Sequence, residues 1–426
     1  MRAPNSRESS DKLGTNLIPD NAARPGDDPI FALHGEATKR AAQGESILNA
    51  TLGALMEDDG RPALMPAVAE AFGRIPPERY SLYAPISGPP QFLSAVMDDL
   101  VGASHPLREL MTGVSTAGGT GAVHHGLVNY VEPGQALLTT SYYWGPYGIL
   151  ANHTKRRLAT FQMFADDGRL NVEAMERAAF ELLETQGRLF IVLNTPCHNP
   201  TGYSMDADDW EDVVDLVARC SAKGPTTLLL DQAYFRFAPP GALDWVGYVE
   251  RLVGKATVLF AWSGSKAFAQ YGSRIGALVA LHEDPQERAR ISNALGYSCR
   301  GTWSNCNHLG MLAITECLTD PDLRARTDSE RERLVKLLGT RVERFNELAQ
   351  AAGLVYPRYE GGFFVTVFTA DADKTAALMR DQGVFVVPLK GAVRVGLCAA
   401  PTDSIPRLVE ALAQGVQAAG GVTANS

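Results

Sequence analysis

No pair of cysteines in this chain is spaced as C-x-x-C, so zinc ribbons and thioredoxin-like redox centres have no footing. The six cysteines are scattered at Cys197, Cys220, Cys299, Cys306, Cys317 and Cys398. They read as small buried apolar side chains in a reducing compartment, the cytoplasm. Long hydrophobic runs are missing too: none approaches the roughly 18 residues that suggest a membrane span. Residues 1–27 lack the apolar stretch of a secretory signal and read as a polar arm. Basic charge is in deficit. A formal net charge of -9 argues against nucleic acid or an anionic membrane as the main partner. There is neither an internal repeat nor a low-complexity linker. What is present, 426 residues with 45% apolar and 20% charged side chains, describes a globular chain with ample core for more than one domain.

Apolar runs at 136–140, 189–194, 226–230 and 257–262 have the continuous character of strands buried on both faces. Amphipathic helical patterns at 63–72, 91–101, 172–183 and 210–217 separate or precede them. This alternation predicts an α/β fold whose large domain, over 62–325, is built on a mostly parallel central sheet. Past residue 320 the texture changes. A charged amphipathic helix over 328–352 is followed by strands near 363–368, 384–387 and 393–397 and a helix over 405–418. Together with 28–61 this C-terminal part, 326–426, reads as a smaller α+β domain.

In open, parallel sheets ligands gather at the carboxyl ends of the strands. Polar residues fall at those points: Trp144 after one apolar run, Asn199 after the next, Asp231 at the end of a third and Lys266 after a fourth. The segment Trp262-Ser263-Gly264-Ser265-Lys266 turns out of an apolar run, and Arg274-Ile275-Gly276 opens another. Hydroxyls and a planar guanidinium beside one lysine suit a phosphate. A lysine next to a phosphate anchor is what a pyridoxal phosphate Schiff base needs. Ser115 to Gly126 is a glycine-rich turn opening a helix, where backbone N–H groups favour an anion. It is not a dinucleotide fingerprint, because His124 stands where the third glycine belongs. The adjacent His124 and His125 point in different directions on a helix and are poorly placed to share a metal.

The motifs Asn199-Pro200-Thr201-Gly202, Asp231-x-x-Tyr234, and Ser263-x-Ser265-Lys266 followed by Arg274 together resemble the fold-type I pyridoxal phosphate enzymes. They are most similar to the class I aminotransferases of the aspartate/aromatic group, and the resemblance runs from about residue 28 to the C-terminus. It implies pyridoxal 5'-phosphate as cofactor, held covalently by Lys266, which also serves as the base at the substrate α-carbon. Asp231 then pairs with the ring nitrogen, Asn199 and Tyr234 bond the phenolic oxygen, and Trp144 stacks on the ring. Gly119, Thr120, Ser263 and Arg274 cradle the phosphate. Tyr83 matches a loop tyrosine that reaches the phosphate of a neighbouring subunit, which implies a homodimer. Arg394 matches the arginine that takes the α-carboxylate, with Gly53 lining the pocket opposite it and Phe363 a pocket aromatic. Arg300 sits where aspartate-type members place a second, partner-donated arginine.

The chain departs from the family pattern at Gly118, where a serine is usual, and at Tyr147, near the position of a histidine that supports the aspartate. It departs again at Leu55 and at Cys306-Asn307. The reaction expected is transfer of an amino group from an acidic or aromatic L-amino acid to a 2-oxo acid such as 2-oxoglutarate. A biosynthetic elimination, replacement or bond-forming reaction on the same cofactor is the alternative. A non-catalytic sensing domain of a transcriptional regulator is disfavoured, because the arm is too short and too weakly basic for a helix-turn-helix.

Overall fold

The computed structural model describes residues 15–26, 29–238, 242 and 244–422. Most of the arm expected over 1–27 lies outside the described residues; within its remainder, Pro19–Ala22 forms one short helical turn.

Among the described residues, twelve strands fall into three sheets. The strands are β1 (Leu48–Asn49), β2 (Met111–Ala117), β3 (Ala136–Thr140), β4 (Arg157–Phe161), β5 (Leu189–Asn194) and β6 (Thr226–Asp231). They continue with β7 (Thr257–Ser263), β8 (Ile275–Leu281), β9 (Phe364–Phe368), β10 (Val384–Phe385), β11 (Val387–Leu389) and β12 (Ala392–Gly396). The large sheet has seven strands in the order β2-β8-β7-β6-β5-β3-β4. Six run parallel, and only β8 is antiparallel to its neighbours β7 and β2. Every residue of β5, β6 and β8 is buried. Alternate side chains of β6 feed opposite layers: Leu228 and Leu230 join the larger core, Leu229 the smaller one under the 118–130 helix. The continuous apolar pattern of these strands is thus the signature of a sheet covered on both faces.

The helix expected over 328–352 is longer, Pro321–Ala351, and is capped by Asp320, whose side chain accepts from the Leu323 N–H. The predicted junction at 325/326 therefore falls inside one continuous helix. Beyond it lies a three-stranded antiparallel sheet, β11-β12-β9. The N-terminal segment joins this end of the molecule, since β1 pairs in parallel with β10. Arg341, fully buried on the long helix, donates to the carbonyls of Met56, Leu397 and Cys398 and to Asp58. One guanidinium thereby ties an N-terminal loop to the end of β12.

Sequence patterning missed β2, β4 and the helices Pro285–Thr302 and His308–Thr319. β4 is only partly buried and short of contiguous apolar residues, which hides its period.

Candidate active site

β5 and β6 pair in register so that Asn194 and Asp231 stand side by side at their carboxyl ends. One strand further, β7 ends at Ser263 and turns directly into the short helix Gly264–Ala267, which carries Lys266. Ser263 Oγ caps that turn by accepting from the Ser265 N–H at 3.2 Å. On the far side, β2 ends at Ala117 and the Gly118–Tyr130 helix starts at once, aiming its first N–H groups into the same space. The glycine-rich stretch is therefore the first helical turn itself.

These ends enclose a half-open cleft lined by Gly119, Thr120, Trp144, Asn194, Asn199, Asp231, Ala233, Tyr234, Ser263, Ser265, Lys266 and Arg274. Nine residues singled out in the sequence converge there. Trp144 is the aromatic of its loop that faces the cleft. Tyr142 packs on Phe164 and Phe368 instead, and Tyr147 lies behind, edge-on to Trp144 at 5.4 Å. The Tyr147 hydroxyl donates to Asp231 Oδ2 at 2.6 Å, and the Ala233 N–H donates to Oδ1 at 3.2 Å. Burial pushes the Asp231 carboxyl up, while the Tyr147 hydrogen bond and the Lys266 charge pull it back. Burial lowers the Lys266 ammonium below the usual lysine value; Asp231 opposes this and Arg274 adds to it. The Lys266 amine stands 4.9 Å from the Tyr234 ring centre, and Tyr234 accepts from the Asn199 amide at 3.1 Å.

Asn194 carried no signal beyond its place at the end of an apolar run. Its amide donates to the Asp231 carbonyl at 2.8 Å, and its oxygen accepts from the Asn199 N–H at 2.6 Å. One side chain therefore holds both polar loops in place.

Arg274 occupies the left-handed region at φ 53°, an uncommon and costly conformation for a non-glycine residue. Its guanidinium reaches Ser265 Oγ and Thr120 Oγ1, each at 3.5 Å. A Cβ at Gly118 would lie 2.5 Å from Arg274 Nη2, and one at Gly119 would lie 3.4 Å from the Ser263 Cβ. The absent side chains leave N–H groups, hydroxyls and a guanidinium facing one space, the chemistry of an anion site. Buried Asn199 Oδ1 has no hydrogen-bond partner among the described residues. These features fit pyridoxal phosphate: an anion cradle, a lysine with a lowered pKa and a buried carboxylate lining one cleft.

The remaining predicted residues lie outside this cleft. Arg394, on β12, donates to the Thr51 carbonyl at 2.7 Å. Gly53 belongs to the same loop as Thr51. Phe363 is fully buried with its ring 5.3 Å from that of Tyr234, so it backs this cleft and is not part of its lining. The aromatic against Gly53 and Arg394 is its neighbour, Phe364. Tyr83 and Arg300 are exposed on the outer surface.

The match to the family model described as aminotransferase class I and II covers residues 47–412. The aromatic-amino-acid aminotransferase of Paracoccus denitrificans is 27% identical over 395 residues, covering 90% of this chain and 96% of that one. The aspartate aminotransferase of Pseudomonas aeruginosa is 26% identical over 373 residues, covering 84% and 90%. A crystal structure of an aminotransferase from Anaerococcus prevotii superposes with a TM-score of 0.90 at 28% identity, covering 94% of this chain and 99% of that one. The chain belongs to the class I and II aminotransferases, the pyridoxal-phosphate-dependent enzymes that move amino groups between amino acids and 2-oxo acids.

Proposed function

We propose that this enzyme takes its amino group from an acidic or aromatic L-amino acid and delivers it to a 2-oxo acid such as 2-oxoglutarate. The convergence of Lys266, Asp231, Asn199, Tyr234 and Arg274 on one cleft supports this reading. So do relatives named for aromatic amino acids and for aspartate. When bound, the cofactor supplies an electron sink for negative charge at the substrate α-carbon. Lys266 would anchor it and move the α-proton; burial lowers the lysine pKa and so favours the neutral, basic amine. Asp231 would pair with the ring nitrogen and favour its protonation, its carboxylate fixed by Tyr147 and Ala233. The first turn of the 118–130 helix, Thr120, Ser263 and Arg274 would hold the phosphate, and Trp144 would stack on the ring. Arg394 takes the α-carboxylate beside the Thr51–Gly53 loop.

The same reading makes the enzyme a cytoplasmic homodimer with shared sites. All six cysteines are free, and no helix among the described residues is long and apolar enough to cross a membrane. Leu82 and Tyr83 are 72% and 92% exposed, and Tyr297, one helical turn from Arg300, is 83% exposed. Gly296 lies against Ser87, so this apolar surface and both partner-directed residues share one face.

The test is a half-reaction screen: purified enzyme with aspartate, glutamate, phenylalanine or tyrosine and no oxo acid. Loss of the cofactor's visible absorption is expected with acidic or aromatic substrates and not with Lys266→Ala. Spectra left unchanged by every amino acid would sink the proposed substrate class.

A further inference from the structure

The register of β9 and β12 sets Arg394 opposite Thr366 and Phe364 opposite Gly396. Arg394 and Phe364 are thus diagonal neighbours on one face of the antiparallel pair, a separation that long side chains span. Gly396 offers Phe364 no side chain to pack against, so its ring is free to lean along the sheet towards Arg394. The guanidinium carbon stands 4.4 Å from the ring centre. At the ring's outer tip, a Cβ on Gly53 would approach Phe364 Cζ to 2.8 Å. Gly53 lies two residues from Thr51, whose carbonyl accepts from Arg394 Nη2. The ring is therefore wedged between the arginine and the loop that the arginine grips.

We propose that Phe364 is a positioning residue for the substrate carboxylate: its ring fixes the plane of the Arg394 guanidinium and keeps its fork aligned before substrate arrives. A flexible arginine must surrender side-chain freedom to make a bidentate contact, and one already stacked on an aromatic face surrenders less. A cation over a desolvated ring is also held electrostatically. The inference rests on the reading above that Arg394 takes the α-carboxylate. It also accounts for the absence of a side chain at position 53, because a methyl group there would press on the ring and tilt the guanidinium.

The experiment titrates holoenzyme with succinate and with 3-phenylpropionate, which bear carboxylates but no amino group, and follows the cofactor's absorption. Phe364→Leu is expected to weaken binding of both by roughly tenfold, the size a lost stacked cation contact carries. In turnover the loss should fall on KM of both the amino acid and the oxo acid more than on kcat. Gly53→Ala should weaken the same carboxylates, and Gly53→Ala combined with Phe364→Leu should be no worse than Phe364→Leu alone, because the smaller side chain makes room for the methyl group. Additive losses in the double variant would show that the alanine methyl blocks the carboxylate directly, and would overturn the proposal. Wild-type carboxylate binding in Phe364→Leu would overturn it as well. Should Phe364→Leu fold poorly, Phe364→Met in the same cycle carries the test with less loss of volume. Arg394→Lys separates the two readings: if it leaves carboxylate binding intact, the clamp assigned to Arg394 fails, whereas its weakening with Phe364 variants unaffected removes only the positioning role.

Discussion

Tyr147 and Asp231 are far apart in the chain and 2.6 Å apart in space. If Asp231 is to pair with a protonated cofactor ring, as proposed, it is useful only while it stays ionised, and burial works against that. The tyrosine hydroxyl, itself pushed well above the usual phenol value by burial, remains a donor at any working pH and cannot add charge. A histidine at the same place would titrate; this tyrosine does not. Tyr147→Phe removes one hydrogen bond to a charged group, about 1.5–3 kcal/mol, and so should raise the cofactor dissociation constant by roughly tenfold or more. Equilibrium dialysis against pyridoxal phosphate measures it, with KM for the amino acid little changed. Unaltered retention of the cofactor would show that Asp231 does not depend on this hydroxyl.

Among the elements, the β2–helix junction at Gly118 shows how a missing side chain shapes the site. A serine here, as is usual in the family, would add a hydroxyl to the cradle proposed for the phosphate. Gly118 has φ +69°, however, and any Cβ there meets the Arg274 guanidinium. A side chain in that conformation costs about 1 kcal/mol before the clash is counted. Gly118→Ser is therefore expected to weaken cofactor binding by roughly tenfold, since Arg274 must leave its position between Ser265 and Thr120. Fluorescence titration of the apoenzyme with pyridoxal phosphate checks the sign. Tighter binding would mean that Arg274 relocates without loss.

Across the whole molecule, two histidines sit in the core uncharged. His125 stacks on Trp303 with ring centres 4.4 Å apart, and His198 is bracketed by Thr140 and Thr201. Burial drags each of them down to about 3. The unfolded chain binds these two protons near pH 6.5, while the folded chain does not until about pH 3. Their contribution to stability is complete above about 6.5 and is lost as pH falls through that window, by up to about 1.4 kcal/mol per pH unit for each. Urea midpoints should therefore fall between pH 7 and pH 5, above the range in which carboxylates titrate. His125→Phe keeps a ring on Trp303 and should flatten the slope; an unchanged slope would remove His125 from the account. The shared-site dimer is tested at this scale too. Inactive Lys266→Ala and weakened Arg300→Ala subunits, mixed through mild denaturation, should regain activity on dicarboxylates if Arg300 serves the partner's cleft. Without recovery, Arg300 has no role across the interface.

The chain by itself determined much of this enzyme. Continuous apolar runs dictate strands covered on both faces, and the polar residue ending each run must then lie at one rim of the sheet. That is why Asp231, Asn199 and Lys266 were legible from order alone, and why β3 and β5 were placed to the residue. What spacing does not encode is which side of a packed layer a side chain takes. Only the folded structure set Phe364, and not Phe363, against Arg394: Phe364 opens β9 with Gly396 as its neighbour, whereas Phe363 precedes the strand and packs on Tyr234 and Phe237. Only the three-dimensional packing made Asn194 a brace between two loops, and it turned the expectation that Tyr147 lies near the aspartate's supporting position into a direct hydrogen bond. Local pattern fixes elements because hydrophobic burial is periodic; the site's finer geometry is decided by contacts between different elements, from tens to hundreds of positions apart, which periodicity does not carry.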